Sequence, residues 1–523
     1  MIFTSRFPDV AIPDVPLVDY VFERADQFLD HVALIEGPTG RRITYRELQA
    51  LVRRVASGLT ARGFRRGDAL CLFSPNIPEY AAVFFGVASL GGVNTTANPM
   101  YGAEELARQL RDSGARIVVT VPILADRALK AAELVGGAEV IVFGEAPGCT
   151  PFAALLAAGD GTVPTVTIDT ANDVVALPYS SGTTGLPKGV MLTHRNLVAN
   201  LAQCDFIDLS VPGDATIGIL PFFHIYGMIV ILCGVMRHGA TVVTMPQFDL
   251  ETYLRLTQEH KAKAAYLVPP IALALAKHPM VDQFDLSSLQ MVNSGAAPMS
   301  GDLEQAIFER LGVFAKQGYG MTETSPVTHF TPFDRAMYKP GSCGLLVPNT
   351  ECRVVDIETG RELGPNERGE LYIRGPQVMK GYLNHAEATA ASIDADGWLR
   401  TGDVAYADED GFFYIVDRLK EFIKYKGYQV APAELEALLL THPKVADVAV
   451  IPVADDEAGE VPKAFIVARE ACGAQEIMDF VAASVAPYKK VRAVEFIDKI
   501  PKSASGKILR RELIAAERAK SAK

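Results

Sequence analysis

No Cys-x-x-Cys pair occurs anywhere in this chain. Its seven cysteines (Cys71, Cys149, Cys204, Cys233, Cys343, Cys352 and Cys472) are scattered and odd in number. That spacing excludes a disulfide scaffold or a thiolate zinc site, and implies a reducing compartment with mostly buried thiols. Long hydrophobic runs are also missing: the longest, Ile225 to Met236, is too short to span a bilayer and reads as a buried helix. The start, Met1-Ile2-Phe3-Thr4-Ser5-Arg6, lacks the charged-then-apolar layout of a signal peptide. Positive charge is in deficit, with a net charge of −12, which argues against general nucleic-acid binding and against anchoring on anionic membranes. Tandem repeats and low-complexity tracts are absent. What remains is a chain of 523 residues, 49% hydrophobic and 21% charged, long enough for two or more domains and expected to be cytoplasmic.

The most informative stretch is Pro178-Tyr179-Ser180-Ser181-Gly182-Thr183-Thr184-Gly185-Leu186-Pro187-Lys188-Gly189-Val190. Glycines permit the positive φ angles that turn successive N–H groups to one side, hydroxyls add donors, and Lys188 adds a full charge, so a phosphate chain suits this loop. It is not a Walker A loop, which has Gly before the lysine, Ser or Thr after it, and then a helix. Here Pro187 precedes, Gly189 follows, and Val190-Met191-Leu192-Thr193 reads as a strand. Composition alone also allows a plain Ser/Thr/Gly turn with an exposed lysine.

Around this loop, helical and short β-rich segments alternate. Thr44-Tyr45-Arg46-Glu47 is a capping box, and Leu48, Leu51, Val52, Val55 and Leu59 recur at helical spacing up to about Arg62. Strands follow at 69–74, near Val93, and at 116–121, 139–143 and 174–177, with helices between them. The pattern is that of α/β layers with largely parallel sheets, and the anchor loop leaves a strand end, where such proteins place ligands. A second alternating unit begins near Arg195. Gly- and Pro-punctuated β-rich runs from Gly341 to Tyr382 predict a smaller antiparallel subdomain. At 416–427, Arg418, Lys420, Lys424 and Lys426 outnumber Asp417 and Glu421, marking a boundary before a compact α/β unit. Residues 486–511 then carry eight Lys or Arg against Glu495 and Asp498. A solvated helix face is the plain alternative for each basic cluster.

The anchor loop resembles the phosphate-binding signature of the adenylate-forming enzymes, which include acyl-CoA synthetases, peptide-synthetase adenylation domains and beetle luciferases. The resemblance continues in order along nearly the whole chain. Gln317 and Gly318 with Tyr319-Gly320-Met321-Thr322-Glu323 look like the adenine-side motif, and Thr401-Gly402-Asp403 like the ribose motif. Arg418 resembles the ribose partner, Lys420 the hinge, and Pro501-Lys502-Ser503-Ala504-Ser505-Gly506-Lys507 the loop bearing the catalytic lysine. The family fold implied is a large N-terminal α/β domain with a small β subdomain (1–417), a hinge (418–420) and a small mobile α+β C-terminal domain (421–523).

The resemblance further implies ATP/AMP contacts from Ser180, Ser181, Gly182, Thr183, Thr184, Lys188, Gln317, Gly318, Tyr319, Thr322, Asp403 and Arg418. It implies Mg²⁺ held near Thr184 and Glu323, catalytic roles for Lys507, Lys424, Gln429 and His224, and CoA contacts from Lys426 and Gly427. Pro221-Phe222-Phe223-His224-Ile225-Tyr226-Gly227 matches the Phe-His-Ile-Tyr segment of 4-coumarate–CoA ligases, although a lone His there also fits a satisfied core residue. Tyr226, Gly320, Pro326 and Val327 match their hydroxycinnamate pocket. The chain departs from that pattern at Val230, Asn293, Ala296 and Gln247, where those enzymes commonly carry a serine, a lysine, a glycine and a basic residue. Losing polar partners lets cinnamate or a medium-chain fatty acid compete with 4-coumarate.

The expectation is therefore an ATP- and Mg²⁺-dependent acid–CoA ligase, monomeric or homodimeric, with no nucleic-acid partner. Fatty acyl-CoA synthetases are its nearest rival. A luciferase-like oxygenase is disfavoured by the ending Lys520-Ser521-Ala522-Lys523, which is no peroxisomal address. A peptide-synthetase module is disfavoured for want of a following carrier domain. A catalytically idle homologue is disfavoured by the joint presence of Lys188, Glu323, Asp403, Arg418 and Lys507.

Overall fold

The computed structural model of the chain describes residues 1–180, 187–207, 210–426, 428–455, 457–504 and 506–521. Two large sheets dominate. In the first, strands Glu139–Val142, Ile117–Thr120, Ala69–Phe73, Val93–Thr96 and Val174–Ser180 run parallel, and Lys188–Thr193 turns back antiparallel against Val174–Ser180. The second has a parallel centre of Phe314–Gly320, Met291–Ser294, Ala264–Leu267, Ala215–Gly218, Thr241–Thr244 and Val32–Glu36. Parallel strands covered on both faces call for continuous apolar runs, which Ala69–Phe73 and Ile117–Thr120 supply.

One apolar core runs through both sheets and the helices between them. Helix Tyr45–Ala61 begins on the Thr44/Glu47 capping box and turns one apolar stripe inward. Helix Pro78–Ser89 is apolar almost all round and buried along nearly its whole length. The run beginning at Ile225 is indeed a buried helix, but Tyr226–Val235 is π-wound. Such wider turns shift side chains relative to an α-helix and recur at functional sites. Hydrophobicity reports burial but not winding, so the sequence carried no sign of it.

The antiparallel subdomain is larger than the Gly341–Tyr382 run suggested. Its sheet joins Glu351–Val355, Gly369–Arg374, Leu399–Ala407 and Phe413–Arg418, and takes its outer strand, Phe3–Thr4, from the far end of the chain. Beyond Arg418 a separate sheet (Ile423–Tyr425, Tyr428–Val430, Val445–Asp455, Gly459–Ala468 and Ala493–Phe496) carries its own core of Ile423, Val430, Leu435, Val448, Ile466 and Ile477. Among the described residues no helix is long and apolar enough to cross a membrane, and none of the seven cysteines forms a disulfide.

Candidate active site

A cavity of about 720 Å³ opens where the ends of both large sheets, the antiparallel sheet and the C-terminal loop 501–507 converge. This size is ordinary for a nucleotide-plus-substrate site. Ser180, the last residue of strand Val174–Ser180, and Pro187 line it. Ser181, Gly182, Thr183 and Thr184 lie outside the described residues, as does Gly427. Lys188 opens the return strand, with its ammonium 5.0 Å from the Tyr382 ring centroid.

The buried carboxylate of Glu323 sits at the end of strand Val174–Ser180, accepting from Ser180 Oγ at 2.7 Å and from the Tyr382 hydroxyl at 2.9 Å. Tyr382 is a contact that sequence reasoning missed. It lies on a two-residue strand paired with Val190 and Met191, and no local pattern announces that pairing. No cluster of three acidic, His or Cys ligands exists among the described residues. A single carboxylate among hydroxyls fits Mg²⁺, which keeps several waters and leans on one or two carboxylates plus substrate phosphates.

Gly318, Tyr319, Gly320, Thr322 and Glu323 line the same cavity. Gln317 does not. Its side-chain amide donates to the Met299 carbonyl (2.7 Å) and to Glu304 (2.8 Å) and accepts from the Met299 N–H (3.0 Å), so it braces the wall from behind. Glu304 also accepts from the Tyr338 hydroxyl and the Gly341 N–H, and burial pushes its carboxyl up to about 7. The Tyr319 hydroxyl donates to Asp403 Oδ2 at 2.6 Å, and burial together with the Asp403 charge raises the phenol well above its ordinary value. Strand register sets Asp403 opposite Arg418, whose Nε lies 3.3 Å from Asp403 Oδ1. Burial works against the Arg418 charge, but the surrounding carboxylates, Asp403 first, leave its pKa raised.

Lys507 reaches this cavity from the C-terminal sheet's side. Its loop is a tight turn in which the Ser503 N–H donates to the Lys507 carbonyl at 2.8 Å and the Lys507 N–H donates to Ser503 Oγ at 3.1 Å. Gly506 has φ +76°, and a Cβ there would lie 2.9 Å from Val268 Cγ2, so only glycine lets the loop seat this closely on the N-terminal body. Burial, then the nearby Arg418 charge, lowers the Lys507 ammonium to about 8. Lys420 is likewise lowered by burial and Arg418.

His224 and Tyr226 stand at the mouth of the π-wound helix and also line the cavity. Burial, then Lys507, drops His224 to about 4, so it is neutral at working pH. The Tyr226 hydroxyl lies 3.2 Å from the Asn293 carbonyl and 3.0 Å from Asn293 Nδ2, and its ring packs so closely on Gly295 that a Cβ there would meet it at 2.7 Å. Val230, Ala296 (φ +68°), Pro326 and Val327 complete this apolar end. Lys424, Lys426 and Gln429 are not among the cavity's lining. Lys424 and Gln429 face each other across a hairpin, and Lys426 pairs with Glu457.

These motifs and this geometry have counterparts. The AMP-binding enzyme model matches residues 21–383, and the AMP-binding enzyme C-terminal domain model matches 434–507. The chain is 48% identical to 4-coumarate–CoA ligase 5 of Oryza sativa subsp. japonica, covering 98% of this chain and 97% of that protein. It is 47% identical to 4-coumarate–CoA ligase of Pinus taeda over the same shares. Among solved structures it superposes on the anthranilate CoA ligase AuaEII in complex with anthranoyl-AMP with a TM-score of 0.90, at 27% identity and over 98% and 99% of the two chains. For a benzoate CoA ligase from Burkholderia xenovorans the values are 0.85, 26%, 95% and 99%. The chain belongs to the AMP-binding enzyme family, and within it to the adenylate-forming ligases resembling 4-coumarate–CoA ligases.

Proposed function

We propose that this AMP-forming acid–CoA ligase takes 4-coumarate or a related hydroxycinnamate. The observation that carries the reading is one cavity lined by the half-buried Lys507, by Arg418, which pairs with Asp403, and by an apolar slot closed by Tyr226 and Asn293. A carboxylate is a poor electrophile for a thiol because an oxide would have to leave. Its oxygen therefore attacks the α-phosphorus of ATP, the bond to the β-phosphate oxygen breaks, and pyrophosphate departs, leaving acyl-AMP. The pantetheine thiol then attacks the acyl carbon, AMP leaves, and the thiol proton is released.

Negative charge meets negative charge in the first step, so fixed cations decide its rate. On this reading Lys507 bridges the carboxylate and α-phosphate oxygens, while Lys188 with Ser180 and the loop 181–184 holds the departing phosphates. Asp403 and Arg418 hold the ribose, and Gly318, Tyr319 and Thr322 flank the adenine. Glu323, with Thr184, would hold Mg²⁺, which when bound neutralises phosphate charge. In the second step His224, neutral, sits where acyl group and thiol meet. The segment after Lys420 rotates as a C-terminal domain and exchanges Lys507 for the hairpin bearing Lys424, Lys426, Gly427 and Gln429. That Lys424, Lys426 and Gln429 do not line the cavity in this arrangement supports that exchange. Dependence on ATP and CoA, with seven cysteines outside any disulfide, suits the cytoplasm.

The test is acid- and CoA-dependent AMP formation with 4-coumarate, cinnamate, benzoate, octanoate, palmitate and malonate in parallel. The highest kcat/KM is expected for 4-coumarate or cinnamate. Preference for octanoate or palmitate would keep the ligase chemistry and overturn the aromatic substrate.

A further inference from the structure

The cavity does not end at the Tyr226–Asn293 pair. Between helix His194–Cys204 and the π-wound helix Tyr226–Val235 it continues past Asn200 and Cys204 on one wall and Val230 and Gly234 on the other. Both walls show a four-residue spacing, so one face of each helix borders a continuous channel. Its floor is strand Met291–Ser294. Asn293 and Met291 both line the cavity, and alternation puts them on one face of the strand, about 7 Å apart along it. A hydroxycinnamate seated by Tyr226 and Asn293 leaves the part beyond Val230 unused.

The far end is polar. Asp205, Arg237 and His238 all line it. Asp205 Oδ1 lies 3.1 Å from Arg237 Nε and 3.3 Å from His238 Nε2, and Asp205 Oδ2 lies 3.2 Å from Arg24 Nη2. The Arg237 Nη1 lies 3.1 Å from Glu23 Oε2, and its guanidinium, almost wholly buried, rests 3.5 Å from the Tyr20 ring centroid. Two guanidinium groups thus face two carboxylates. Such a charge-balanced end has no surplus cation for a second carboxylate, and an apolar terminus would strip hydrogen-bonding groups of water without replacing it. A neutral terminal hydroxyl, both donor and acceptor, suits it.

Building on the acid–CoA ligase reading, we propose that the channel binds acids longer than hydroxycinnamates that carry a terminal hydroxyl, with Cys204 and Gly234 lining the chain and Asp205, Arg237 and His238 meeting the hydroxyl. Acyl activation of this class follows the same two steps, because the carboxylate end is unchanged.

The experiment measures AMP formation with ω-hydroxydodecanoate, dodecanoate and 4-coumarate on the full chain and on Gly234→Leu and Cys204→Leu, each of which narrows the channel from one wall. The expected result is turnover of ω-hydroxydodecanoate at least about tenfold above dodecanoate in kcat/KM, falling about tenfold or more in either variant while 4-coumarate changes little. If 4-coumarate is idle but ω-hydroxydodecanoate is turned over and lost in the variants, the channel stands and the hydroxycinnamate reading falls. If dodecanoate matches ω-hydroxydodecanoate, or 4-coumarate alone is turned over, the proposal is overturned while the ligase reading survives. If no acid yields AMP, the ligase reading itself fails.

Discussion

At the scale of single residues, the charge on Lys507 is the variable that matters most. Burial and Arg418 bring its ammonium down to about 8, so it is charged below that pH and neutral above it. If it bridges carboxylate and phosphate, kcat/KM for ATP in acyl-AMP formation falls as pH rises through about 8. Thioester formation from supplied acyl-AMP lacks this limb. Lys507→Ala is expected to lower adenylation by about 10²–10³-fold and largely spare the second half-reaction. Pyrophosphate release and thioester formation followed separately check both statements, and equal loss of the two would argue against the division of labour. His224 gives a contrast: with its imidazole near 4, its state does not change over the same pH range.

At the scale of elements, a buried ion pair ties the last helix to the rest of the C-terminal unit. Arg510 Nη2 lies 2.6 Å from Glu436 Oε2 and Nη1 lies 3.3 Å from Glu421 Oε2, while Glu436 Oε1 accepts from the Val450 N–H. Burial lifts Glu436 to about 7, although Arg510 pulls the other way. Arg510→Met leaves that carboxylate buried without its cation and is expected to destabilise the unit by about 3–5 kcal/mol. Adding Glu436→Leu should recover much of the loss, and denaturant unfolding of the three variants checks it. In the sequence, Arg510 was only one of eight basic residues. Its partners lie 89 and 74 positions away, beyond the reach of any local pattern.

At the scale of the whole molecule, the C-terminal loop docks Lys507 onto the N-terminal body, and the reading above requires that unit to turn about Lys420 between half-reactions. Proline fixes φ near −65° and would stiffen that point. Lys420→Pro is expected to leave adenylation close to the parent rate. It should slow thioester formation on the order of tenfold or more, the equivalent of about 1.4 kcal/mol of barrier. Single-turnover measurement of each step decides it. Parallel slowing of both steps would indicate a distorted site in place of a stiffened hinge.

The sequence by itself determined which segments become helix or strand across both layered units, because periodicity and capping are local: helix Tyr45–Ala61 stands where its capping box and apolar spacing predict it. It also determined the family, since the motifs around Lys188, Glu323, Asp403, Arg418 and Lys507 are contiguous and ordered. Tertiary structure alone decided what those motifs face. It turned Gln317 away from the cavity into a brace, brought Tyr382 to Glu323, gave Phe3–Thr4 to a sheet hundreds of residues away, and wound Tyr226–Val235 as a π-helix. It also opened the channel from Tyr226 to Arg237. The physical reason is the same in each case: long-range pairing and packing are set by which surfaces meet, and no short stretch of sequence encodes its partner.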